Sequence, residues 1–116
     1  MSMIYNLDIA KVDSVVEGGG AKTAMVSSLK TGRKTILKGL PENVELNKNT
    51  EINLNSSTND YKNIDHLQIM QKDQDGNVTA RENYERGENG MFKKQPQKQE
   101  KQAQKYPLTS DKTYSI

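Results

Sequence analysis

The chain has 116 residues and a net charge of +2, with 32% hydrophobic and 28% charged residues, no cysteine, no tryptophan and a single phenylalanine. These totals leave room for one domain with an aliphatic core, and they exclude a disulfide framework, a thiolate metal site and a cysteine nucleophile. No stretch approaches transmembrane length, and the first residues lack a basic region followed by an apolar run. The expectation is therefore a cytoplasmic protein, or one inside a particle assembled there, with no membrane partner.

From Met3 to Ile9 the pattern alternates, with Met3, Tyr5, Leu7 and Ile9 on one face. That is the mark of a half-buried strand. Val12, Val15 and Val16 continue out of phase, which predicts a bulge or bend near Lys11 before Gly18-Gly19-Gly20 stops the strand. Thr23 to Leu29 and Lys34 to Leu40 read as two strands joined by Lys30-Thr31-Gly32-Arg33. Pro41 opens a turn, Val44 to Leu46 is short, and Thr50 to Leu54 alternates again with Ile52 and Leu54 inward. After a polar loop from Ser56 to Lys62, Ile64 to Gln71 forms a strand, and Asp75-Gly76 turns it into a short return strand at Val78.

The nearest approaches to helical spacing, Asn59 to Gln71 and Thr79 to Arg86, lack a continuous apolar stripe. Short strands punctuated by Gly, Asn and Pro turns predict a mainly β fold. The expected form is a small antiparallel barrel or sandwich, similar in architecture to the oligonucleotide-binding (OB) barrel.

The composition then changes. Between Lys93 and Lys105 only Ala103 offers apolar surface, and a segment with nothing to bury does not offset the entropy of ordering itself. The sequence therefore divides into a β domain over residues 1–86 and an extended or disordered polar arm over 87–116. Phe92, Lys93, Lys94, Tyr106, Leu108 and Tyr114 are the arm's candidate partner contacts, because anchors along a flexible chain are how docking peptides engage a surface.

Three patterns invite chemistry. Gly18-Gly19-Gly20-Ala21-Lys22-Thr23 lacks the glycines of a phosphate-binding loop, and a strand rather than a helix follows it. The run Gln71 to Glu82 resembles the calcium loop of the EF-hand family. Asp73, Asp75, Gly76, Val78 and Glu82 fall on that family's liganding, turn and buried positions, while Gln71 replaces its first aspartate. The resemblance implies calcium; the residues read by themselves give a hairpin with Asp75-Gly76 at its tip and no metal site. His66 is the only histidine and is expected on the solvent face of a strand. No nucleophile, acid or cofactor motif is present, so no enzyme and no cofactor are expected.

The basic residues carry the functional expectation. Lys22, Lys30, Arg33, Lys34 and Lys38 fall in a stretch without a carboxylate, and Tyr61 is an aromatic within the domain. Lysines that track a phosphate backbone beside an aromatic that stacks bases make a single-stranded nucleic-acid surface. The alternative is a structural or accessory protein of a phage particle or larger complex, with the arm docking on neighbouring subunits. A homo-oligomer is compatible with either.

Overall fold

The computed structural model describes residues 3–96. They form seven strands: β1 (Tyr5–Gly18), β2 (Ala21–Ser28), β3 (Lys34–Pro41), β4 (Glu51–Ser56), β5 (His66–Lys72), β6 (Val78–Arg86) and β7 (Phe92–Lys94). All belong to one sheet in the order β3-β2-β1-β4-β5-β6-β7, with every neighbouring pair antiparallel. Strands β4-β1-β2-β3 are a Greek key, the topology of OB-type barrels, and β5 to β7 extend it as a meander. The fold is thus mainly β, as the alternation predicts, and both segments nearest to helical spacing contain strands instead.

The sheet curls into a half-barrel around Ala10, Val12, Val26, Leu37, Leu40, Ile52, Leu54, Leu67, Ile69, Tyr84 and Phe92, all buried. It stays half open because its edge strands do not pair with each other. Seven strands paired antiparallel leave the two edges, β3 and β7, running in the same direction, so a ladder between them would have to be parallel. The edges meet instead at glycine. A Cβ on Gly39 would lie 2.5 Å from the Gly90 carbonyl oxygen, so only a residue without a side chain allows the approach.

The turns follow their residues. Gly19 and Gly20 have φ of 64° and 81°, the left-handed pair that a two-residue hairpin requires between Gly18 and Ala21. In the β2–β3 loop the Ser28 hydroxyl accepts the Lys30 and Thr31 amides at 3.1 and 3.0 Å, and Gly32 has a φ of 76°. The β5–β6 turn is an Asx turn: Asp73 Oδ1 accepts the amides of Asp75 and Asn77, each at 2.9 Å. That hairpin occupies the run resembling a calcium loop. It has no flanking helix, and Val78 is partly exposed at 36%.

Three expectations are corrected. The inward face of β1 is Ala10 and Val12, whereas Ile9 is 41% exposed. Asn6 pairs with Asn55 and Asp8 with Leu54, so Leu7 is an extra residue that reverses the alternation. The bend expected near Lys11 falls at Asp13, between the pairs Val12↔Val26 and Ser14↔Met25. The domain also continues past residue 86. Strand β7 pairs with β6 at Tyr84, Glu85 and Arg86, and Phe92 is 2% exposed. Phe92 is thus a core residue rather than an arm anchor. An aromatic ring recovers far more by burial than its polar neighbours contribute.

Candidate functional site

The β3–β4 connection passes from one edge of the sheet back to β1 and closes the end of the barrel opposite the Lys30–Arg33 loop. Val44 is buried there, its amide donating to the Pro41 carbonyl at 3.2 Å, while the Asn49 amide reaches the Val12 carbonyl at 2.8 Å. Lys22 belongs to this closure. Its ammonium donates to the Val44 carbonyl at 2.6 Å and lies 3.9 Å from Glu17, with only 14% of the side chain exposed. Lys22 therefore holds the crossover and stands apart from the other candidate cations.

The opposite end is built from two loops that meet. Loop β4–β5 is shaped by Ser56, whose hydroxyl accepts the Thr58 amide at 3.1 Å, and by Asp65, which accepts the Ser57 amide at 2.9 Å and its hydroxyl at 2.5 Å. Burial pushes the Asp65 carboxyl up, but the bonds from Ser57 and His66 outweigh it and hold it below the usual carboxylate range. His66 Nδ1 donates to that carboxylate at 2.9 Å and Nε2 lies 3.7 Å from Glu85, so the histidine is structural.

This loop carries Tyr61 over the barrel end. Its hydroxyl donates to Asp8 Oδ2 at 3.3 Å and accepts from Thr35 Oγ1 at 3.4 Å. Arg33, from the β2–β3 loop, lays its guanidinium over the ring, 4.0 Å from the centroid. One ring face is therefore occupied by a cation rather than left open for a base. Arg33 is exposed, and a guanidinium held over an aromatic ring is itself a platform for stacking. Lys30 shares its loop, Lys62 follows Tyr61, and both are exposed.

Along the outer face of β3, Lys34, Ile36 and Lys38 are exposed while Leu37 points inward. Lys34 lies 3.7 Å from Asp13 and donates to the Ser27 hydroxyl at 3.3 Å. Ser27 in turn donates to Asp13. That bond, with attraction from Lys34 and Lys11, holds the Asp13 carboxyl below its ordinary value despite partial burial. Sequence reasoning thus found the cations but missed that Tyr61 and Arg33 form a pair. Two residues so far apart in the chain leave no periodic signal.

A concavity of about 390 Å³ opens where the β3–β4 connection faces β6 and β7, over Pro41, Val44, Tyr84 and Phe92. On its rim Lys94 lies 3.6 Å from Glu82. Desolvation, together with Glu82, pushes the Tyr84 hydroxyl up to about 12. Tyr84 is 4% exposed, so its ring offers no stacking face. Lys93 and Lys94 lie on β7 beside this opening; Tyr106, Leu108 and Tyr114 lie outside the described residues. Among the described residues no three His, Asp or Glu side chains gather as metal ligands, and no helix is long and apolar enough to cross a membrane. Comparison with protein-family models, with curated proteins and with solved structures gave no significant match.

Proposed function

We propose that this chain is a non-catalytic protein that binds single-stranded nucleic acid at the barrel end where Arg33 stacks on Tyr61. In this reading the guanidinium receives a base on its free face, and Lys30, Lys34, Lys38 and Lys62 contact phosphates on either side. Lys22 takes no part. The observation that carries it is the Arg33–Tyr61 stack. A surface arginine normally has many rotamers to lose, and here one is already fixed beside Lys30 and Lys62, with Lys38 further along the outer face of β3; none of these three lysines makes an ion pair among the described residues. A base stacked on such a platform contributes about 1–3 kcal/mol.

Titration of a fluorescent single-stranded oligonucleotide tests this. Arg33→Ala should weaken binding about tenfold or more, within the range of one lost stack. Lys93→Ala, remote from the stack, should not. The alternative is a structural or accessory protein of a phage particle or larger complex, docked by its C-terminal arm; Phe92, committed to the core, would not be among its anchors.

A further inference from the structure

The outer face carries an apolar strip that the nucleic-acid reading does not use. Ile36 on β3 pairs directly with Met25 on β2, and Val16 on β1, opposite Thr23 of β2, is the diagonal neighbour of Met25. The three side chains share one face and are 55%, 40% and 63% exposed. The strip leaves much of its apolar area facing water, and it runs out to the sheet edge between Lys34 and Lys38.

That edge is open. β3 pairs only with β2, and among the described residues no other backbone hydrogen bond reaches residues 34–38. As an outermost strand it leaves alternate N–H and C=O groups without ladder partners. The other edge, β7, has three residues, too few to template a partner.

We propose that Lys34–Lys38 accepts an extended segment of a partner protein as an added antiparallel strand. The segment would carry an apolar side chain flanked, two residues away on each side, by carboxylates. Strand addition puts the residue opposite Ile36 on the outer face, where it lengthens the Met25–Ile36 strip. Residues two places to either side then fall opposite Lys34 and Lys38, so the two lysines that guard this edge select an acidic partner. Asp13 offsets Lys34 only in part, since the same carboxylate also attracts Lys11. A second copy of this chain fits poorly: about a two-fold axis at Ile36, each Lys34 would face the Lys38 of the other copy, and like charges directly opposite are destabilising.

The probe is a short acetylated peptide with Ile at its centre and Glu two residues to either side, titrated into the isotopically labelled full chain and followed by amide shifts and hydrogen exchange. Protection should appear at residues 34–38. Ile36→Thr, which keeps a β-branched side chain at the position, should weaken the peptide about tenfold by loss of apolar contact and leave oligonucleotide binding unchanged. The double variant Lys34→Glu with Lys38→Glu should reject this peptide and take one with Lys in place of each Glu. Shifts confined to other strands, no binding at millimolar peptide, equal binding by Ile36→Thr, or sedimentation showing a dimer that Ile36→Thr dissolves would each overturn the proposal. Its failure is separate from failure of the nucleic-acid reading, because Ile36 belongs to this surface alone.

Discussion

Gly39 of β3 and Gly90 of the β6–β7 turn meet backbone to backbone, and this contact sets how far the half-barrel closes. Gly39 has a φ of 78°, and a Cβ placed on it would come within 2.5 Å of Gly90 O. The same carbonyl oxygen accepts Arg86 Nη1 at 2.8 Å, so it is not free to swing away. Lys38 and Gly39 together face the single residue Thr23, a bulge that aims β3 at the turn.

Gly39→Ala should therefore cost more than the left-handed conformation alone, roughly 2–4 kcal/mol once backbone displacement is added to the dihedral term. Gly90→Ala, with φ of 83° and nothing within 4 Å of its Cβ, should cost only about 1–2 kcal/mol. Urea unfolding of the two variants gives the comparison.

Phe92→Ala should destabilise the domain by about 3–5 kcal/mol, the usual range for an aromatic in a packed core. Arg86 stacks over the same ring at 4.2 Å from its centroid and donates to the Ile64 carbonyl at 3.3 Å. Arg86→Ala should thus also destabilise, by a smaller amount. A melting temperature for Phe92→Ala equal to that of the parent chain would return the residue to the arm.

Asp65 sets a pH dependence. Its carboxyl ionises more readily in the fold than in the unfolded chain, where the value is about 3.9. The unfolded state therefore binds its proton first as pH falls. The stabilisation is fully present above about pH 4 and is lost as pH drops through the lower folded value. Asp65→Asn should flatten stability against pH in that acid window, measured by denaturant midpoints.

Tyr84 acts at the other extreme. Its hydroxyl is held neutral up to about 12, against an ordinary value of 10. The unfolded chain loses this proton first as pH rises, so the contribution is intact below about pH 10 and fades towards 12. Spectrophotometric titration of Tyr84→Phe against the parent chain should show the loss of one late-ionising phenol.

Much of the fold was legible because strands with one buried face alternate. Ile52 and Leu54, Leu67 and Ile69, the Gly19-Gly20 hairpin and the Asp75-Gly76 turn all follow from period and turn chemistry. The phase of β1 was not, since the extra residue Leu7 reverses it and a bulge has no letter of its own. β7 was hidden because Met91-Phe92 is a two-residue apolar step between polar stretches, too short to show a period, and Phe92 is recruited by tertiary packing. At the candidate site the cations were readable one by one. Their sorting, with Lys22 inside the crossover and Arg33 on Tyr61, depends on contacts between distant segments.

The central claim is that the Arg33–Tyr61 end binds a single strand by stacking and phosphate contact. The most direct measurement is oligonucleotide affinity as a function of salt, for the parent chain and for Lys30→Ala with Lys38→Ala. The parent should bind at about 50 mM salt, and its log affinity should fall linearly with log salt, with a slope of about −0.7 per phosphate engaged. The double variant should lower that slope by about 1.4, two phosphate contacts' worth. Absence of binding at about 50 mM salt, where electrostatic contacts are strongest, or identical slopes for the two proteins, would contradict it.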